Sequence, residues 1–153
     1  PSPKIYELHQ FLTERFGFAS AEEVLSGRGL GHIYGFLAAL DPRQPFPSSH
    51  HIMTQLHSDP HARKSVDIML EVLGCVCGNL ALTHLPFGGI YLVGGMAQVL
   101  ADYYHDSAFH HAFAAKGRFA EFMDQFSVHL VQDDHAPLVG CIAHLQHHGH
   151  DKP

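Results

Sequence analysis

Apolar positions along the chain recur at helical spacing in most segments and form only two strand-like runs. Residues 4–16 and 30–40 each place apolar side chains on one face, and residues 62–84 are apolar almost all round. These patterns predict two amphipathic helices and one helix that is buried on most sides. Further helices are predicted at 50–57, 96–104, 107–115, 119–124 and 137–145, and strands at 90–93 and 127–131.

This order of elements predicts an α/β fold that is rich in helices and poor in strands. A two-stranded sheet is marginal by itself, and helices and strands in this order usually pack around a larger, largely parallel sheet. We therefore expect further strands outside the chain. The chain has the character of the later part of a bigger α/β protein.

Local signals place several helix ends. Ser20 and Glu23 have the spacing of a capping box, in which each side chain accepts a hydrogen bond from the other residue's amide. This arrangement leaves Glu22 free in the first turn, where the helix dipole favours a carboxylate. The glycines within residues 26–30 predict a connection before the next helix, and Pro60 predicts a helix start.

Composition narrows the classes of protein that the chain can belong to. The 153 residues suit one domain, and 46% hydrophobic with 16% charged residues is typical of a globular protein. The formal charge is −6 while the 16 histidines are neutral, and it approaches roughly +2 near pH 6.5, where about half of them carry a proton. Without a basic run, we predict no nucleic-acid or membrane-surface partner.

Three cysteines and the lack of a secretory start predict a cytoplasmic protein. Residues 72–101 contain no Asp, Glu, Lys or Arg, so a membrane span has to be considered. Asn79, His84, Pro86 and glycine-containing turns interrupt this run. We therefore predict that it lies in the protein interior and that no uninterrupted helix of spanning length forms there.

Several clusters offer metal ligands, and for each we favour a structural role. The pairs His50-His51 and His110-His111 and the run His147-His148-Gly149-His150 could bind zinc or nickel, but adjacent histidines on a helix point in different directions. Cys75 and Cys77 lack the spacing of a zinc knuckle and fall in a buried helix, where cysteine acts as a small apolar residue. We predict no metal site.

Charged groups near two turns have alternative roles. Asp133-Asp134-His135 could bind Mg²⁺ or act as acid and base, or the carboxylates could cap the terminal helix, which we favour. Lys116 and Arg118 could reach a phosphate, but charged residues in a turn are usually solvated. No nucleophile with a matching base follows from order or spacing.

The glycine-bracketed segment from Leu85 to Gly95 predicts a turn, a buried strand, a tight turn and then a helix. Glycines at such a place let a flat or anionic ligand approach the backbone, and ligands of open α/β sheets bind past the carboxyl ends of strands. A nucleotide crevice is one interpretation. Close packing of a helix on its strand is the other, and the pattern alone favours it.

Four segments together carry a resemblance to a known family. They are SAEEVLSGRGL at 20–30, GNLAL at 78–82, GGIYLVGG at 88–95 and KGRF at 116–119. In this order they resemble landmarks of the bacterial ATP-dependent glucokinase family, across nearly the whole chain. The resemblance implies the two-lobed, ribonuclease-H-like fold of the hexokinase and actin superfamily, with residues 1–153 as the C-terminal part of the large domain.

The resemblance also implies roles for named residues. Glu22 matches a glutamate that binds sugar hydroxyls, and Gly94, Gly95 and Met96 match the segment that lies against the adenosine. The implied reaction transfers the γ-phosphate of ATP, with Mg²⁺, to the 6-hydroxyl of glucose. Arg28 stands where the family commonly has proline, and the resemblance assigns it no phosphate contact.

Other family motifs have no counterpart in the sequence. The two phosphate loops, the catalytic aspartate and the Glu-x-Gly-His sugar motif would lie before Pro1, in an N-terminal lobe. We therefore expect no catalytic residue in this chain and no activity of the chain alone. A non-catalytic dimerisation or regulatory module derived from the glucokinase fold is the alternative, and exposed sheet edges predict self-association, most simply as a homodimer.

Overall fold

A computed structural model describes residues 2–104, 107–133 and 135–148 of the chain. Its helices and strands are α1 (Pro3–Phe16), α2 (Gly27–Leu37), α3 (Ser49–Thr54), α4 (Pro60–His84), β1 (Ile90–Leu92), α5 (Gly95–Val99), α6 (Ser107–Ala114), β2 (Val128–Leu130) and α7 (Ala136–His148). Single turns of 3-10 helix lie at Ala21–Glu23, Ala101–Tyr103, Gly117–Phe119 and Glu121–Gln125.

Helix α4 is the centre of the core, as the apolar pattern predicts. It begins at Pro60, where the Asp59 carboxylate accepts a hydrogen bond from the amide of His61 at 2.8 Å. It ends at His84, and the next residue, Leu85, adopts a left-handed conformation with φ of 49°. Its buried face packs against α2 and α6.

Close packing of α6 on α4 depends on two glycines one turn apart. A Cβ atom on Gly74 would lie 2.3 Å from the carbonyl oxygen of Phe109, and one on Gly78 would lie 2.6 Å from that of Phe113. Both distances are far inside van der Waals contact. The backbones of the two helices therefore meet without intervening side chains, and Phe109, only 1% exposed, fills the core beside them.

Helix α2 begins three residues earlier than predicted, because the glycines of residues 26–30 belong to the helix. The Ser26 hydroxyl caps it by accepting a hydrogen bond from the amide of Gly29 at 3.1 Å. A Cβ atom on Gly29 would lie 2.2 Å from the carbonyl oxygen of Val24. Glycine is thus required at position 29 for the preceding turn to lie directly on the helix. At its other end, α2 stops at Leu37, three residues before the predicted end at residue 40.

The two strands pair in parallel, and Ile90, Tyr91 and Leu92 face Val128, His129 and Leu130. Both strands are three residues long, so each is shorter than predicted. Among the described residues this pair is the whole sheet. The larger sheet outside the chain stays a prediction.

The elements between β1 and β2 are less regular than predicted. The helix expected at 96–104 is divided into α5 and a 3-10 turn, and the helix expected at 119–124 is a 3-10 helix. Helix α6 ends at Ala114, one residue before the predicted end.

Helix α7 exposes its apolar side chains, which are 47–69% exposed: Leu138, Val139, Ile142 and Leu145.

The prediction that no helix of spanning length forms within residues 72–101 holds. Residues 72–101 are divided among α4, β1, α5 and the start of a 3-10 turn, but α4 itself is 25 residues long and apolar enough to cross a membrane. The helix itself was predicted at 62–84, but only the uncharged run was considered as a membrane span. That run is also not interior throughout, because Phe87 and Tyr91 are 65% and 61% exposed. Core helices of water-soluble proteins meet the same criteria, so this helix is weak evidence for a membrane span.

Candidate functional site

Glu22 lies on a 3-10 turn that precedes α2. Its side chain is exposed, and in the part of the chain that the structure describes its carboxylate makes no hydrogen bond or ion pair. The turn is held by backbone hydrogen bonds from the amides of Glu23 and Val24 to the carbonyl oxygens of Ser20 and Ala21, both at 3.1 Å. Glu22 is therefore a free carboxylate on a fixed turn.

The predicted capping box between Ser20 and Glu23 is wrong. The Ser20 hydroxyl makes no capping bond, and the Glu23 carboxylate lies 3.4 Å from Nδ1 of His32 on α2. The same ring nitrogen is 2.9 Å from the Glu23 carbonyl oxygen. A single 3-10 turn is closed by its own backbone bonds, so Glu23 is free to tie this turn to α2.

Gly94 and Gly95 form an open stretch of backbone between β1 and α5. Gly94 has φ of 111° and ψ of 168°, a region that is essentially restricted to glycine. A Cβ atom on either residue would meet no heavy atom within 4 Å. The backbone here is accessible to a ligand, and neither glycine is needed for close packing within the described chain.

The structure brings the two candidate segments together at the start of α2. The Sδ atom of Met96 lies 3.9 Å from the position of a Cβ atom on Gly27, the first residue of α2. Leu25 and Met96 also line one apolar cavity of about 130 Å³. Leu25 and Gly27, which follow the turn of Glu22, therefore lie beside Met96, which follows Gly94 and Gly95, although about 70 residues separate the two segments in the sequence.

A larger cavity of about 500 Å³ adjoins the first two turns of α2. Arg15, Arg28 and His32 line it, together with residues of the segment before α3. Arg15 and His32 were not among the predicted site residues, because no local motif connects the end of α1 with one face of α2.

Comparison with known proteins assigns the family. The family model for glucokinase matches residues 2–148. The chain belongs to the glucokinase family. It is 35% identical over 138 residues to the glucokinase of Photorhabdus laumondii, covering 88% of this chain and 43% of that protein. With the glucokinase of Stenotrophomonas maltophilia it shares 32% identity over 155 residues, covering 99% and 46%.

A solved glucokinase has the same fold. The crystal structure of glucokinase from an Antarctic psychrotroph superposes with a TM-score of 0.85 at 25% identity, covering 96% of this chain and 47% of that one. The predicted family and the predicted helix-rich α/β portion with few strands are therefore confirmed. The chain spans less than half the length of the glucokinases it matches, and its assignment as one C-terminal domain over residues 1–153 stays a prediction.

The other clusters of this glucokinase-family chain have structural contacts. Lys116 donates a hydrogen bond to the carbonyl oxygen of Cys75 at 3.2 Å, and the Arg118 guanidinium lies 4.9 Å from the ring centre of Phe119. The Asp133 carboxylate accepts a hydrogen bond from the amide of His135 at 2.8 Å, next to the start of α7. Asp134, Gly149 and His150 lie outside the described residues.

Cysteine and histidine side chains are dispersed. Burial raises the pKa of the Cys77 thiol to about 11, as expected of a core cysteine, while Cys75 is half-buried. Across the described ranges, no three His, Cys, Asp or Glu side chains are placed to share a metal ion.

Proposed function

We propose that this chain is part of a glucokinase that transfers the γ-phosphate of ATP to the 6-hydroxyl of glucose. One observation carries the proposal: in a chain of this family, the segment that follows Glu22 meets Met96, next to the open backbone of Gly94 and Gly95, at the start of α2. The Glu22 carboxylate has no partner among the described residues. A residue that binds the sugar and a segment that binds the nucleotide suit a transfer between two bound substrates when they lie close together.

Each proposed contact follows from the chemistry of the residue. An ionised carboxylate accepts strong hydrogen bonds from hydroxyl groups, so Glu22 orients the sugar. Gly94 and Gly95 have no side chain that would keep a flat base away from the backbone, and Met96 borders the same place. Mg-ATP, when bound, supplies the phosphoryl group.

The remaining chemistry belongs to the other part of the protein in this proposal. A base for the 6-hydroxyl and ligands for Mg²⁺ are not assigned to any residue of this chain. Positioning, metal and base act together in phosphoryl transfer. The chain alone is therefore proposed to be inactive and to act with an N-terminal lobe. We also propose that the protein works in the cytoplasm.

Two substitutions separate the proposed roles, and we would test them in a protein that contains this chain and an N-terminal lobe. Glu22→Gln removes a charge-assisted hydrogen bond, so kcat/KM for glucose should fall roughly 10- to 100-fold. Gly95→Ala adds a methyl group that meets no protein atom, so its effect comes from contact with the nucleotide. It should raise KM for ATP and leave KM for glucose unchanged. Glu121→Gln is the matched control, because Glu121 is also an exposed glutamate on a 3-10 helix. Equal kinetics of Glu22→Gln and Glu121→Gln would contradict the sugar-binding role.

A non-catalytic module for dimerisation or regulation is the second candidate function. The exposed apolar face of α7, defined by Leu138, Val139, Ile142 and Leu145, favours it. If this face is the interface of a homodimer, Ile142→Lys should convert the dimer to a monomer in sedimentation velocity. A monomeric wild-type chain would contradict this alternative.

A further inference from the structure

The cavity at the first two turns of α2 concentrates positive charge in an acidic chain. Arg15, Arg28 and His32 line its walls, and the described residues that line it include no Asp or Glu. The chain as a whole has a formal charge of −6 and only 9 Lys and Arg residues. Two arginines that share one cavity without a carboxylate are therefore an unusual concentration, and they indicate that the cavity takes an anion.

Arg15 is held in place by aromatic rings. Its guanidinium carbon lies 4.1 Å from the ring centre of Phe46 and 5.3 Å from that of Phe16. Among the described residues its Nη1 atom is buried and has no hydrogen-bond partner. The charge of Arg15 is thus fixed at the wall of the cavity by stacking, and no carboxylate of a described residue neutralises it.

Arg28 adds a second positive charge from the face of α2 that it shares with His32. They are four residues apart in the helix and so lie one above the other. Arg28 is exposed and makes no ion pair or hydrogen bond with a described residue. The contacts of His32 to Glu23 use Nδ1, which leaves Nε2 without a protein partner in the described chain. The positive end of the helix dipole lies at the same turn.

We propose that this cavity binds a phosphate group. A fixed guanidinium and a second, more adaptable guanidinium match the several oxygens of a phosphate, which accept charge-assisted hydrogen bonds. The cavity contains none of Glu22, Gly94, Gly95 or Met96. The proposal therefore goes beyond the proposed function and does not depend on it.

The phosphate group has two possible sources, a free phosphate ion and the phosphate of a nucleotide. Gly27 lines this cavity and also lies against Met96, so the cavity adjoins the proposed adenosine segment. A nucleotide that extends along α2 could place a phosphate there. Competition between the two ligands tells these sources apart.

The test is a titration of the 153-residue chain with inorganic phosphate, followed by isothermal calorimetry and by ³¹P line broadening. We expect saturable binding that weakens about tenfold or more in Arg28→Gln, because a charged hydrogen bond is lost. Arg28→Lys should recover part of the affinity. Arg43→Gln is the matched control, since Arg43 is an exposed arginine outside the cavity, paired with Asp41, and it should change the affinity less than about twofold.

The outcomes are distinct. If ADP displaces inorganic phosphate from the wild-type chain, the nucleotide is the source. If it does not, the cavity is a site for free phosphate. Absence of saturable phosphate binding, or equal affinity of Arg28→Gln and Arg43→Gln in chains with wild-type melting curves, would overturn the proposal. Neither result bears on glucose phosphorylation, which the Glu22 variant tests.

Discussion

Replacing Gly74 with alanine tests the contact between α4 and α6 that organises the core. The new methyl group would lie 2.3 Å from the carbonyl oxygen of Phe109 and 3.1 Å from the Cβ atom of Ala112. Ordinary van der Waals contact begins at 3.4 Å. The first obstacle is backbone and cannot rotate away, so the two helices have to separate by roughly 1 Å at this point.

The size of the effect follows from two opposing contributions. Overpacking of a tight core costs about 1–3 kcal/mol, and a clash with backbone belongs at the upper end. Alanine is intrinsically better than glycine inside a helix by about 1 kcal/mol. We therefore expect Gly74→Ala to lower the free energy of unfolding by about 2 kcal/mol. For a chain of this length this corresponds to a fall in Tm of roughly 4–8 °C.

Differential scanning calorimetry of the wild-type chain and two variants measures this effect. Gly140→Ala is the control, because Gly140 also lies within a helix and a Cβ atom there would meet nothing within 4 Å. Its Tm should be unchanged or slightly higher. If Gly74→Ala melts at or above the wild-type temperature, the helices do not approach as closely as described and the reasoning fails.

Three further predictions concern single side chains. The buried hydroxyl of Tyr104 has no partner among the described residues, so Tyr104→Phe should raise the free energy of unfolding in urea by up to about 1 kcal/mol, and a loss would contradict this. Tyr34 donates a 2.6 Å hydrogen bond to Asp59 and lowers its pKa below the ordinary 3.8. The stability that this bond contributes is present above pH 3.8 and lost as pH falls through the lowered pKa, so the Tm difference between wild type and Tyr34→Phe should shrink in acid; a difference independent of pH would refute it. Iodoacetamide should modify exposed Cys141 first and Cys77 last, because Cys77 is buried and its pKa is raised to about 11; peptide mass mapping that finds early modification of Cys77 would be inconsistent with its burial.

Elements with strong local signals could be predicted from the sequence. Pro60 and the continuous apolar surface after it indicate α4, and the β-branched run between glycine pairs indicates β1. Both elements form where they were predicted because local preference and tertiary packing agree there. Strand β1 is not the buried strand that was expected, since Tyr91 is 61% exposed.

Other features depend on contacts that no local pattern records. The start of α2 contains glycines, which disfavour a helix locally, and the approach of Val24 explains why glycine is needed at position 29. Glu23 has the spacing of a capping box, but His32 from the next helix takes its carboxylate. Whether an apolar helix face is covered cannot be deduced from its periodicity, as α7 demonstrates.

The candidate site divides in the same way. Glu22, Gly94, Gly95 and Met96 came from resemblance to a family, and their roles stay predictions, although the structure places their segments side by side. The cavity that Arg15 lines is a different case. Its charged side chains come from the end of α1 and from one face of α2, so only the packing of these helices reveals that they face one cavity.

The measurement that tests the central claim most directly is glucose-dependent ADP formation. The protein to assay joins this chain to the N-terminal half of a matching glucokinase, with the intact relative as the positive control. The account predicts ADP formation that requires both glucose and Mg-ATP and that is absent in this chain alone. A folded joined protein that forms no ADP in response to glucose, under conditions where the intact relative does, would contradict it.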